Sequence, residues 1–283
     1  MTSKKKWIAS NRAWWDERAP SHAASEFYDL DAFRRGRDSL RPFEAAEMGV
    51  DPNGIELLHL QCHLGTDTLS WARRGAKVTG LDFSGPAVDT ARTLATDLGL
   101  ADRSEFVVAD VYDAERVLDH RAFDVVYTGI GALTWLPDID RWARVAAALV
   151  KPGGVLYVVE IHPFVWPFAD SEEPELQFPY FGDLESDDAF GSYTDRDLDT
   201  KHNHVFERNW GMGSVITAVV KAGLTVELVS EHAIGMEQRW PFMVRDADGF
   251  WVMPADRPSI PQMWSLRARR TPDRQRTPAR RRR

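Results

Sequence analysis

The feature that most constrains this chain is an alternation of short apolar runs and longer amphipathic stretches between residues 55 and 161. Residues 55–61 (IELLHLQ), 77–81 (KVTGL), 105–109 (EFVVA), 123–128 (FDVVYT) and 155–161 (VLYVVEI) read as strands. Residues 67–74, 86–98 and 139–150 read as the helices between them. Parallel strands need long crossover connections, and a sheet with helices on both faces buries both sides of each strand. Right-handed crossovers then leave few topologies. A helix over 212–222 and strands over 225–230 and 263–268 extend the pattern. The expected fold is α/β, a doubly wound, seven-stranded, mostly parallel sheet.

Three regions fall outside this rhythm. Residues 1–53 read as an N-terminal helical cap carrying Trp14, Trp15, Phe27, Tyr28 and Phe33. The core then spans 54–268 and is interrupted by a lid at 163–207 and a second cap segment at 233–261. A structureless connection as long as the lid is uncommon in a compact domain, and its many aromatic residues predict a packed cover. Residues 269–283 read as a disordered basic tail.

The net charge of −8 over 283 residues hides an asymmetry. Residues 267–283 hold nine arginines and one acid, which leaves 26 basic and 42 acidic groups in the rest of the chain. So acidic a body disfavours nucleic acid as its partner. A single cysteine, Cys62, excludes a disulfide framework and predicts a small packing residue. No apolar run suits a bilayer span and no signal-peptide core is present, so no membrane partner and a cytoplasmic location are expected.

The turn after the first strand reads Gln61-Cys62-His63-Leu64-Gly65-Thr66-Asp67 and opens into a helix. Doubly wound folds bind nucleotides at this place, where helix N–H groups and a closely approaching backbone are available. The second strand ends in Asp82-Phe83, where a carboxylate can hold both hydroxyls of a ribose. The third ends in Asp110-Val111, placed to accept from an adenine amino group. The fourth runs into Thr128-Gly129-Ile130-Gly131, a flexible backbone beside the same crevice.

In these residues the sequence resembles the class I S-adenosylmethionine-dependent methyltransferases, from about Leu57 to Ile161. The segment Leu149-Val150-Lys151-Pro152-Gly153-Gly154-Val155-Leu156 looks like the turn into that family's fifth strand. Asp82-Phe83-Ser84, Ala109-Asp110-Val111 and Phe123-Asp124-Val125-Val126 follow in the family's order. The resemblance implies S-adenosylmethionine as cofactor and S-adenosylhomocysteine as product. Gln61, His63, Gly65, Thr66, Asp67, Asp82, Phe83, Asp110, Val111, Thr128 and Gly129 are the expected cofactor residues. The family's G-x-G-x-G is changed here, since Gln61, His63 and Gly65 occupy the three glycine places. The Gln61 and His63 side chains either close the pocket or replace lost backbone contacts to the cofactor carboxylate.

Methyl transfer is an in-line displacement that requires positioning, water exclusion and, for some acceptors, a base. Glu160 and His162, where the fifth strand runs out, and His204 in the lid are the candidate catalytic groups. His202 and His204 are expected to alternate along a strand, and two histidines alone make no metal site, so none is expected. Trp15, His22, Trp135 and Trp210 are expected to line the acceptor pocket. Asn11, Asp16 and Arg18 share the helix of Trp15, while Glu207 and Asn209 lie near Trp210. Within the lid, residues 163–200 hold eleven acids against one base, Arg196, which suits a cationic acceptor or a solvated surface.

The expected function is methyl transfer to an O, N or C atom of a small molecule, amine-bearing or aromatic, by a monomer or homodimer. A nucleic-acid methyltransferase using the basic tail and a catalytically silent binding protein are the alternatives. A nicotinamide-dependent oxidoreductase is disfavoured because G-x-G-x-x-G is absent.

Overall fold

A computed structural model describes residues 3–272. The chain opens with a helix, α1 (Lys4–Ala24), whose N-cap Ser3 accepts from the Lys6 N–H and which carries Pro20 within its last two turns. Two short helices follow, α2 (Leu30–Arg34) and α3 (Glu44–Met48).

The alternating pattern then resolves into β1 (Glu56–Leu60), α4 (Thr66–Arg73), β2 (Lys77–Asp82), α5 (Gly85–Asp97), β3 (Ser104–Val108), α6 (Ala114–Val117) and β4 (Phe123–Thr128). It continues with α7 (Ile139–Leu149), β5 (Val150–Ile161), α8 (Met212–Lys221), β6 (Leu224–His232) and β7 (Met263–Arg270). These seven strands form one sheet in the order β3-β2-β1-β4-β5-β7-β6. The pairs from β3 to β5 are parallel, whereas β7 lies antiparallel between β5 and β6.

Side-chain alternation along each strand feeds two different cores. Leu58 and Leu60 of β1 pack with Trp142, Ala143 and Ala146 of α7 and Val215 and Val219 of α8. Leu57 points the other way, to Met48 of α3 and Trp71 and Ala72 of α4. Fully burying each such aliphatic side chain contributes about 1.5–3 kcal/mol, so the period-2 pattern fixes the register.

Register is what builds the site. Leu60 pairs with Leu81 and Thr128, Leu81 pairs with Val107, and Thr128 pairs with Val158. The residues just beyond these pairs (Gln61, Asp82, Val108 and Gly129) therefore share one edge of the sheet. The opposite edge is tied by Lys151, whose Nζ meets Glu56 at 2.7 Å and Asp124 at 3.0 Å. The Lys-Pro-Gly-Gly segment, expected as a turn, is the start of β5.

Two expectations need correction. Arg269 and Arg270 belong to β7: Arg269 pairs with Glu227 and donates to the Gly153 carbonyl, and Arg270 Nη1 donates to the Val150 carbonyl at 2.7 Å. The rest of the expected tail, 273–283, lies outside the described residues. In the lid, only part of the aromatic content is packed. Val165, Trp240 and Met243 form a small core with Phe168 and Trp251, joining the lid to the second cap segment, but Phe181 is 82% and Phe190 69% exposed. Among the described residues no helix is long and apolar enough to cross a membrane.

Candidate functional site

The turn after β1 has a left-handed backbone at two positions that are not glycine and at one that is. Gln61, His63 and Gly65 all have left-handed φ values, 60°, 48° and 77°. Glycine tolerates this region freely, whereas an L side chain there is strained by roughly 1–2 kcal/mol. At Gly65 the smallness matters as well, because a Cβ would lie 2.7 Å from the Ala91 Cβ. Gln61 turns its amide to the Ala132 carbonyl at 2.8 Å, bridging the turn to the loop after β4. Cys62 is buried and unpaired.

Asp82, at the end of β2, accepts the backbone N–H groups of His63 at 2.8 Å and Ser84 at 2.9 Å. Burial raises its carboxyl to about pKa 6, against those bonds. Asp110, beyond β3, accepts the Tyr112 N–H at 2.9 Å, and burial raises its pKa too. Both carboxylates thus brace the backbone on which they sit. Gly129, beyond β4, leaves room for its neighbours: a Cβ there would come within 3.1 Å of His59 Nε2 and 3.4 Å of Asp67 Oδ2.

Asp67 does not stand free in the edge. It meets Arg41 Nη2 at 3.0 Å, and Arg41 also pairs with Glu44 and donates to the Tyr127 hydroxyl oxygen at 2.9 Å. Tyr127 in turn donates to Glu44 at 2.8 Å. Arg41 and Glu44 are almost wholly buried, so this network of opposite charges under the turn is held by mutual compensation.

Above the edge lies α1. Arg12 stands over the Phe83 ring at 5.8 Å. Trp15 meets the rings of His63, Trp135, His22 and Tyr193 edge-on at 5.0, 5.2, 5.5 and 6.4 Å. Trp14 stacks on Trp135 at 5.5 Å. His22 Nδ1 lies 3.0 Å from His63 Nε2, and Tyr28 and Tyr193 share a hydroxyl contact of 2.5 Å.

The lid is fastened to α1 by Arg18, which is fully buried. Its guanidinium donates to the carbonyls of Gly191 at 2.6 Å, Ala189 at 2.8 Å and His202 at 2.9 Å, and to Asn203 Oδ1 at 3.0 Å. Asn11 completes the seam as a strand would, giving a hydrogen bond to the Phe206 carbonyl at 2.8 Å and taking one from its N–H at 2.9 Å.

The sheet thus has the order β3-β2-β1-β4-β5-β7-β6 with β7 antiparallel, and turn, acids and cap cluster at one of its edges. Residues 57–154 match the methyltransferase domain family. A ubiquinone biosynthesis O-methyltransferase of Methylobacterium sp. (strain 4-46) is 30% identical over 166 residues, covering 55% of this chain and 61% of the relative. The chain thus spans about three-fifths of the length of that curated relative. A sterol 4-C-methyltransferase of Caenorhabditis elegans is 27% identical over 107 residues, 38% of this chain and 31% of the relative. Among solved structures, an S-adenosylmethionine-dependent methyltransferase from Mesorhizobium loti superposes with a TM-score of 0.56 at 21% identity, covering 80% of this chain and 95% of that one. The fold is that of the Rossmann-like methyltransferases.

Within this methyltransferase fold, the three candidate catalytic residues have surroundings different from those expected. The Glu160 carboxylate accepts the backbone N–H groups of Gly131, Ala132, Leu133 and Ile161, the middle two at 3.0 Å. Four backbone donors hold it against the loop after β4, and burial raises its pKa although those bonds oppose this. His162 takes the Phe164 N–H on Nδ1 at 3.2 Å and reaches Glu231 with Nε2 at 2.9 Å, leaving neither nitrogen free. Burial lowers its pKa although Glu231 opposes this. His204 lies on the lid beside Glu185 at 2.9 Å and Ser10 of α1 at 3.3 Å. The alternation expected of His202 and His204 is absent, because the lid strand runs Val205–Arg208, paired with Asp183–Ser186.

Of the expected pocket residues, Trp15 meets His22, Trp135 and His63, and His22 meets His63, whereas Trp210 donates to the Leu136 carbonyl at 3.0 Å under Arg208. Burial raises the pKa of Glu207, and Asn209 donates to the Pro163 carbonyl. Among the described residues no three His, Cys, Asp or Glu side chains cluster as metal ligands. Sequence reasoning missed Tyr28, Ser192, Tyr193, Arg41 and Glu44. The aromatic density of 27–33 was a signal for Tyr28, but nothing local marks the others.

Proposed function

We propose that this chain transfers a methyl group from S-adenosylmethionine to an O, N or C atom of a small-molecule acceptor. The observation that carries the reading is the shared edge of Gln61–Gly65, Asp82, Asp110 and Gly129, in the strand order of a methyltransferase fold. Unspent polar atoms support the fit: Gln61 Oε1, Thr128 Oγ1 and Asp16 Oδ1 are buried without partners among the described residues, and Asp16 acts electrostatically on Asp82. A polar ligand along the edge would satisfy them.

S-adenosylmethionine, when bound, supplies a methyl group on a sulfonium that an acceptor lone pair can attack. Asp82 would hold the ribose hydroxyls with acceptor capacity beyond its two backbone bonds, and Asp110 the adenine amino group beside Val111. The left-handed turn from Gln61 to Gly65 and Asp67 would border the amino-acid end. Phe83 and Thr128–Gly129 would line the remaining sides. Glu160 then acts as a positioning residue, fixing the loop after β4 at Gly131–Leu133. Trp15, His22 and Trp135, with α1 fastened across the lid by Arg18, would exclude water and orient the acceptor. Positioning and desolvation carry this mechanism.

A small acceptor agrees with the lid seam over the edge and with the names of the relatives, an O-methyltransferase of ubiquinone biosynthesis and a sterol C-methyltransferase. The acceptor pocket is aromatic, which suits a planar or amine-bearing molecule.

Titration calorimetry with S-adenosylmethionine and S-adenosylhomocysteine tests the reading. The expected result is binding of both, with turnover on one or more members of a panel of small acceptors followed by mass spectrometry. Failure to bind either would overturn it, and binding with no methylated product would favour a binding protein.

A further inference from the structure

His63 stands where the related turn has a glycine, in a backbone region that strains any side chain. Its imidazole makes contacts that glycine cannot. The Leu64 N–H donates to His63 Nδ1 at 2.7 Å, so that nitrogen bears the lone pair and the neutral ring bears its proton on Nε2. Nε2 faces His22 Nδ1 at 3.0 Å, which must therefore accept. The His22 proton then sits on Nε2, 2.6 Å from Ser192 Oγ in the lid. Three hydrogen bonds run in one direction, from Leu64 in the turn through His63 and then His22 of α1 to the lid.

The surrounding packing holds both rings in this line. His22 and His63 stack at 5.2 Å with 16° between planes, and Tyr28 stacks against each of them. His22 is wholly buried. Burial also lowers the pKa of His22 to about 3 and of His63 to about 4, keeping both neutral as the chain of bonds requires.

We propose that His63 is a positioning residue that couples the cofactor turn to the lid, through His22 to Ser192. The assignment of the turn's ligand as S-adenosylmethionine rests on the function proposed above; the clasp itself does not. Because turn and lid share the clasp, a ligand that orders the turn also orders the lid, and the coupling is reciprocal.

Two measurements on the full chain test this. In the wild type, nitrogen-15 NMR of the imidazoles is expected to show the Nε2–H tautomer for both His22 and His63; an Nδ1–H tautomer at either would overturn the proposal without any variant. Amide hydrogen exchange of residues 189–204 is then compared among wild type, His63→Gly and His63→Asn. Asparagine tolerates the left-handed backbone but does not reach His22. Without ligand, lid exchange is expected to rise about tenfold or more in both variants, with α5 and β3 unchanged. S-adenosylhomocysteine, added to saturation of each protein as checked by calorimetry, is expected to slow lid exchange in the wild type and not in the variants. Unchanged lid exchange in both variants, or equal ligand-induced lid protection in all three proteins, would overturn the coupling. A wild type that binds no S-adenosylhomocysteine would instead overturn the proposed function, and the ligand-free comparison would still decide the clasp.

Discussion

The Asp82 carboxylate receives the backbone N–H of His63 at 2.8 Å, so the acid at the end of β2 also anchors the turn at the end of β1. Its second oxygen receives the Ser84 N–H, which fixes the start of α5. One buried side chain therefore sets the relative position of three elements around the proposed cofactor site.

Asp82→Ala should lower stability by about 1–3 kcal/mol for each backbone N–H left buried without a partner, read from urea unfolding. It should also weaken S-adenosylhomocysteine binding by about 100-fold, with Asp82→Asn intermediate. Wild-type affinity in Asp82→Ala would remove this residue from the cofactor site.

Glu160→Gln places an NH2 group against a cluster of backbone N–H donors. The loop from Gly131 to Leu133 should loosen, at a cost of about 1–3 kcal/mol for a lost buried acceptor. Cofactor affinity should fall with it, while the pH profile of the residual activity keeps its shape. Loss of one limb of that profile would return Glu160 to the role of base.

Arg18→Ala leaves the carbonyls of Ala189, Gly191 and His202 without their donor. Hydrogen bonds to charged groups contribute about 1.5–3 kcal/mol each, so even partial relaxation should free the lid before the core unfolds. Limited proteolysis is expected to cut within 189–204 with β1 to β5 intact. Simultaneous loss of lid and core would show that the seam is not a separate unit.

Stability should fall as pH drops below about 6.5. Burial depresses the folded-state pKa of His22 to about 3 and of His59 and His63 to about 4, with Arg18 adding to the effect at His22 and Asp67 opposing it at His59 and His63. The unfolded chain then binds more protons between pH 6.5 and those values, and each histidine costs about 1.4 kcal/mol per pH unit across that window. Asp82 runs the other way: its pKa is raised to about 6, so it adds stability as pH falls from 6 toward 4. Asp110, Glu160 and Glu207, also raised by burial, act in the same sense as Asp82, and the three deeply depressed histidines are expected to outweigh them, leaving a net loss on acidification. Chemical denaturation at pH 7 and pH 5 checks the sign, and equal or greater stability at pH 5 would contradict the burial of the neutral histidines.

Helices and strands of the core lie within a few residues of where the sequence puts them, from β1 at Glu56–Leu60 to α7 at Ile139–Leu149. Their signals are periodicities of 2 and 3.6 residues, which are local. The acids at the strand ends were legible for the same reason, since a strand's last residue is fixed by its own pattern. The exposed Phe181 and Phe190 were misread as packed because aromatic content alone does not say which way a side chain faces.

What the sequence determined by itself is the alternating core and the edge at which Gln61, Asp82, Asp110 and Gly129 gather, because register follows from burying both faces of a parallel sheet. Tertiary structure alone decided that Glu160 braces residues 131–133, that Arg18 fastens residues 189–203 and that His63 reaches Ser192 through His22. These partners are separated by tens to well over a hundred residues, and no local periodicity records which distant polar group a side chain will meet. The choice is made only when burial removes water and each donor must find the acceptor that packing brings to it.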